Sequence, residues 1–146
     1  MTTSSVTFKA LEDFPLVNEG DDLAHLIKQS LDNNHISLQN GDALVIAQKI
    51  VSKAEGRLVF LNDVMVSDRA KEFAAVTGKD PRLTELILRE AKSVIRATHG
   101  IMIVEHKNGY VMANAGIDKS NILFDESNKS VLLLPEDANK SAKFLR

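Results

Sequence analysis

The sequence contains no cysteine and no tryptophan, and only one tyrosine among its 146 residues. Without cysteine, disulfides, thiolate metal sites and a thiol nucleophile are all excluded. No apolar run approaches the roughly 20 residues that span a bilayer as a helix. The runs present, Val131 to Leu134 among them, are only strand-sized. Charge of one sign is lacking too: 18 Lys and Arg against 20 Asp and Glu give a formal net charge of −2. Nothing in that balance recommends nucleic acid or an anionic membrane as a partner. The phosphate-cradling glycine patterns G-x-x-x-x-G-K-S/T and G-x-G-x-x-G are missing, as is the G-x-S-x-G nucleophile elbow. The segment MTTSSVTFKA has one lysine and no apolar core of the kind a secretory signal needs. The expectation is a soluble, cytoplasmic protein.

What remains is ordinary globular material, 44% hydrophobic and 26% charged, enough for one compact domain with a hydrophobic core. A β-prone start at Val6, Thr7 and Phe8 leads into a loop marked by Pro15 and Gly20. Asp21 or Asp22 then caps a helix whose Leu23, Leu26, Ile27 and Leu31 recur at helical spacing. The run Ala43 to Val51 reads as a strand, Ser52 to Arg57 as a polar turn around Gly56, and Leu58 to Leu61 as a second strand. Ser67 caps a helix that Gly78 ends, and Asp80-Pro81 opens another with Leu83, Leu86, Ile87 and Ala91 on its buried stripe. From Val94 the chain turns β-rich, with Asn108-Gly109 as the strongest hairpin signal. Val131 to Leu134 reads as a short buried strand, and Asp137 as the cap of a last helix with Ala138, Ala142 and Leu145 at helical spacing. Runs of helix and runs of antiparallel-type strand predict an α+β fold, a mixed or antiparallel sheet with packed helices.

Two clusters carry possible chemistry. Lys49 and Lys53 project to one side of the Ala43–Val51 strand if it persists that far. Beside a glycine-containing turn they can neutralise phosphate, or they are simply lysines at a solvated strand end. The loop NAGIDKSN, Asn114 to Asn121, follows a hydrophobic strand with an aspartate, a lysine, a serine and two asparagines. Asp118 at a strand exit suits Mg²⁺ or Mn²⁺, which need only one or two carboxylates when substrate phosphates complete the shell. Ser120 and Asn121 could orient a ribose, base or phosphate. Equally, the loop is an Asx-rich turn bonding its own backbone. The histidines, His25, His35, His99 and His106, lie at no zinc-binding spacing.

Three stretches, AQKIVSKAEGR, PRLTELILREAKSVIR with IMIVEHKNGYVMANAGIDKSN, and LLLPEDANKSAKFLR, occur in the order and spacing of one family. Together with FPLVNEGDDL, they resemble the γ-glutamyl ligases that add glutamate to the deazaflavin coenzyme F-420. The resemblance runs from about Phe14 to Arg146. It implies a GTP-dependent ligase that phosphorylates a carboxylate of the coenzyme precursor, so that the amine of L-glutamate can attack the acyl phosphate. By the same resemblance, Phe14, Pro15, Leu16 and Val17 line the GTP site, and Gln48, Lys49 and Lys53 contact the nucleotide, with Lys53 on phosphate. Asp118 binds the divalent metal (Mg²⁺ or Mn²⁺), and Asn121 contacts the nucleotide. Lys53 and Asp118 are the implied catalytic pair. A monovalent cation and a homodimer belong to the same set of expectations.

Family members also carry a downstream segment resembling S-D-T-x-G-R, with further metal ligands, and a later glycine-rich stretch. Residues 1–146 therefore read as one domain, the N-terminal part of the catalytic domain, ended inside a larger architecture. The alternative is a non-catalytic fragment or a nucleotide- or metal-binding module.

Overall fold

The computed structural model describes residues 5–119 and 129–146. Helix α1 spans Leu23–Asn33, and Asp22 caps it by accepting from His25 N. Helix α2 spans Gln48–Ala54, and strand β1 spans Leu58–Phe60. Helices α3, Asp68–Thr77, and α4, Pro81–Glu90, follow in close succession. The next three strands are β2, Ala91–Thr98, β3, Ile101–His106, and β4, Val111–Ala113. Strand β5, Ser130–Leu132, and helix α5, Ala138–Phe144, complete the described elements. The architecture is α+β, with both sheets antiparallel.

The expected caps hold because they are local chemistry. Ser67 accepts from Ala70 N, Gly78 ends α3 at φ 68°, and Asp80 accepts from Arg82 N with Pro81 at the tolerated first position. Asn108-Gly109 turns β3 into β4, in the register Ile103 to Ala113 and Glu105 to Val111. The strands β2, β3 and β4 form one sheet whose inner face presents Met102, Val104 and His106, each 0–2% exposed. Leu83, Leu86 and Ile87 of α4 close the core with Met102 and Val104, and Val131 and Leu133 join it from the β5 segment.

Three expectations need correction. Ala43–Val51 is not a strand: residues 43–47 are irregular and Gln48 begins α2. Ile50, Val51 and Ala54 fall on one helical face and pack with Val17, Leu23 and Ile27, a second core cluster under α1. That burial overrides the β preference of the run. Val6, Thr7 and Phe8 form no strand, and Val6 and Phe8 are 81% and 89% exposed. A strand needs a partner for its backbone groups. Ala91 belongs to β2, which begins three residues before the expected start at Val94. Helix α5 forms where expected, yet Ala138 and Ala142 are exposed and only Leu145 is half-buried.

Candidate functional site

Helix α2 is the meeting point of the expected site residues. Lys49 and Lys53 share a face as expected, but through the i, i+4 geometry of a helix rather than strand alternation. The segment Phe14 to Val17 lies against the same helix: Val17 is 4% exposed, Phe14 packs in the cluster with Ile50, Val51 and Ala54, and Leu16 projects outward. Pro15 between them is exposed. Gly20 N donates to Ala54 O at 2.9 Å, which ties the loop to the end of α2. Gln48 turns its amide to the buried Ser52, donating Nε2–H to Oγ at 2.6 Å.

Asp118 reaches α2 from the other side. Its backbone exchanges two hydrogen bonds with Leu132, N to O and O to N, both 2.9 Å. Leu132 in turn pairs with Leu58, so Asp118 is held as an edge of the small β1–β5 sheet. From there Asp118 Oδ2 lies 2.9 Å from Lys49 Nζ, both side chains about one quarter exposed. Two expected residues far apart in sequence are therefore in contact. Asn121 and Ser120 lie outside the described residues.

The chain arrives at Asp118 through a feature the sequence reading missed. Asn114, Ala115 and Gly116 have φ of 53°, 54° and 67°, three consecutive residues in the left-handed region. Each non-glycine residue there costs on the order of 1 kcal/mol. The turn persists because Ala115 is 1% exposed in the main core. The hint in the sequence is Asn before Ala-Gly, since Asn tolerates the left-handed region and Gly prefers it. Gly116 is required on steric grounds as well: a Cβ there would sit 2.9 Å from Met112 Sδ and 3.0 Å from Leu134 Cδ1. Gly116→Ala is expected to lower stability by about 1.5 kcal/mol, read from the urea midpoint. A midpoint equal to the parent's would show that the turn relaxes freely. Asn114 Oδ1 is buried with no hydrogen-bond partner among the described residues.

Beside α2 lies an open cleft of about 950 Å³, lined by Leu44, Ile46, Gln48, Tyr110, Met112 and Leu134 among others. Leu134, one of the lining residues, is held by Arg57, which donates Nε–H to Leu134 O at 2.9 Å and Nη2–H to Glu90 Oε2 at 2.7 Å. His106, 2% exposed, takes Asn108 N–H on Nδ1 at 3.1 Å and directs Nε2 at Glu90 Oε2, 3.6 Å away. Burial pushes its pKa below the ordinary value, against the pull of Glu90. It is a neutral structural histidine.

For a divalent ion, the described residues offer the Asp118 carboxylate and no cluster of three His, Asp or Glu groups. A single carboxylate fits Mg²⁺ or Mn²⁺ only where phosphate oxygens of a ligand complete the coordination. Fold and site together define an α+β domain that gathers two lysines and one sheet-anchored aspartate around a short helix, an arrangement suited to a metal-bearing phosphate ligand. The chain belongs to the F420-0:gamma-glutamyl ligase family, whose sequence profile matches residues 13–146.

Among curated relatives, the coenzyme F420:L-glutamate ligase of Methanopyrus kandleri is 46% identical over 139 residues, covering 93% of this chain and 52% of that protein. The protein of the same name from Methanothermobacter thermautotrophicus is 42% identical over 142 residues, 97% of this chain and 55% of the relative. That from Archaeoglobus fulgidus is 40% identical over 136 residues, 93% and 51%. The chain thus spans about half the length of the curated relatives it matches. No helix among the described residues is long and apolar enough to cross a membrane.

Proposed function

We propose that this chain is part of a GTP-dependent ligase that joins L-glutamate to a coenzyme F-420 precursor through a γ-glutamyl amide bond. The observation that carries the reading is the convergence of Lys49, Lys53, the Phe14–Val17 loop and Asp118 on helix α2, within a chain that matches the family from residue 13 onward. A carboxylate is a poor electrophile, and its oxygen is a poor leaving group. The ligase therefore transfers the γ-phosphoryl group of GTP to a terminal carboxylate oxygen of the precursor, releasing GDP. The glutamate amine then attacks the acyl carbon, the C–O bond to phosphate breaks, and amide, phosphate and a proton are the products.

In this reading Lys53 holds a phosphate oxygen, and Asp118 meets the divalent ion that arrives on the triphosphate. Held there, such an ion would supply positive charge against the phosphate oxygens. Phe14 to Val17 border the nucleotide, and Gln48 and Asn121 contact it. The cleft beside Gln48 has the size and the apolar walls that suit the flat ring of the precursor. Ile95 at 55% and Val111 at 64% exposure leave apolar surface on the β2–β4 sheet, which supports assembly as a homodimer. A cytoplasmic location accords with the nucleotide and amino-acid substrates.

Calorimetry with GTP and Mn²⁺ on the 146-residue chain tests the nucleotide site. Binding is expected for the parent, and Lys53→Ala is expected to weaken it about tenfold, the loss of one charge-assisted phosphate contact. No heat from the parent chain would remove the nucleotide site from these residues.

A further inference from the structure

The chain holds two Asn-Gly pairs, Asn40-Gly41 and Asn108-Gly109, and Asn40, Gly41 and Asn108 all line the same cleft. Asparagine before glycine is the pair most prone to close on itself. Glycine carries no side chain to obstruct its backbone nitrogen as that nitrogen approaches the asparagine carboxamide. The glycine nitrogen is the nucleophile, so a hydrogen bond that its N–H donates, or one that holds the carboxamide, must open first. In these bonds the two pairs differ.

Gly109 N donates to His106 O at 2.8 Å, and Asn108 N donates to Nδ1 of the buried His106 at 3.1 Å. The Asn108 carboxamide donates Nδ2–H to Pro135 O at 3.4 Å. Reaction there requires the turn between β3 and β4 to open. Asn40 and Gly41 are the central residues of a turn closed by Asp42 N to Gln39 O at 3.0 Å and by Gln39 N to Asp42 Oδ2 at 2.8 Å. Neither bond uses an atom that reacts. Gly41 N and the Asn40 carboxamide have no hydrogen-bond partner among the described residues, and both residues are exposed. A Cβ at Gly41 or at Gly109 would meet nothing within 4 Å, so crowding does not separate the two pairs.

We infer that Asn40 is a self-modifying site on the cleft rim, and that its turn protects Asn108 from the same reaction. Gly41 N attacks Asn40 Cγ, and the bond from Cγ to the carboxamide nitrogen breaks. That nitrogen takes the Gly41 amide proton and leaves as ammonia, and a succinimide ring remains. Water then opens the ring at either carbonyl, giving aspartate or isoaspartate. Both products place a new carboxylate beside Asp42. Isoaspartate also routes the backbone through the side-chain carbon, which lengthens the Gln39–Asp42 turn. The change accumulates with the age of the molecule and alters the cleft wall. It needs no nucleotide, so its failure would leave the nucleotide site untouched.

Peptide mapping by mass spectrometry, during incubation of the 146-residue chain at mildly alkaline pH, reads both positions in one sample. Isoaspartate is read separately, by methyl transfer from S-adenosylmethionine with an isoaspartyl methyltransferase. In the folded chain Asn40 is expected to convert at least about tenfold faster than Asn108, which must give up its hydrogen bonds to react. In guanidinium, with the chain unfolded, the gap should close. Asn40→Gln should remove most of the methyl-acceptor signal and Asn108→Gln should leave it intact, with a thermal melt of each variant to establish that it is folded. Equal rates in the folded chain overturn the inference, as does an Asn40 that stays intact while the unfolded chain converts. A gap that survives unfolding overturns it too, because neighbouring sequence rather than the fold would then set the rates.

Discussion

Arg57→Ala is expected to cost the fold about 3 kcal/mol, because it breaks a largely buried ion pair and leaves the other charge behind. The Arg57 and Glu90 side chains are 17% and 12% exposed, with Nη2 and Oε2 at 2.7 Å. Arg57 also donates to Leu134 O, so one side chain joins the turn after α2, the end of α4 and the segment after β5. Without it, Glu90 keeps, among the described residues, Lys107 at 3.7 Å and His106 at 3.6 Å. His106 would then titrate at higher pH, since Arg57 is one of the charges that oppose its protonation. Arg57→Lys keeps the charge but cannot serve Leu134 O and Glu90 at once, so it should fall between the two. Urea unfolding of the three proteins gives the comparison, with Lys71→Ala as control. Its pair with Asp68 is exposed, 62% and 91%, and its loss should leave the unfolding midpoint close to the parent's. An Arg57→Ala protein within about 1 kcal/mol of the parent would mean that water enters and solvates Glu90.

Arg57 also shows where the sequence is legible and where it is not. Helix boundaries set by single residues can be read directly: Asp22, Ser67, Gly78, Asp80 with Pro81, and Asp137 all do what their chemistry suggests. So can the Asn108-Gly109 turn, because few residues accept its backbone conformation. Helix α2 could not be read. Ala43 to Val51 has the composition of a strand, and only the contacts of Ile50, Val51 and Ala54 with Val17 and Leu23 decide otherwise. The shared face of Lys49 and Lys53 follows from either geometry, so the expectation reached the right placement by a wrong route. The Lys49–Asp118 contact is a product of tertiary structure, fixed by the bridge from Asp118 to Leu132. No spacing rule announces it. The left-handed Asn114–Gly116 turn is strained, and strain is carried by the surrounding core rather than by local preference.

The second large effect is a pH dependence centred on Glu85, which couples α3 to α4 beneath the main sheet. Glu85 is 8% exposed, and its carboxylate accepts from Ser67 Oγ at 2.6 Å, Ser67 N at 3.0 Å and Arg89 Nε at 2.9 Å. The Ser67 hydroxyl, having donated its proton to Glu85, accepts from Ala70 N as the cap of α3. These bonds, those from Ser67 first, hold the Glu85 pKa at about 2 against an ordinary 4.5, although burial opposes the shift. A depressed folded-state pKa stabilises the protein above the unfolded value, and the contribution disappears as pH falls toward the folded value. Glu85 should therefore contribute on the order of 2–3 kcal/mol at neutral pH, declining below about pH 5 and gone near pH 2. Glu85→Gln removes the charge at every pH. The parent should exceed it by that margin at neutral pH, and the two stability curves should converge in acid. Taking the difference between the curves cancels the other carboxylates, Asp80 among them, whose pKa the Arg82 guanidinium also lowers. A gap that stayed constant from neutral pH to pH about 2 would show that Glu85 acts through packing and hydrogen bonding alone, with no part for its charge.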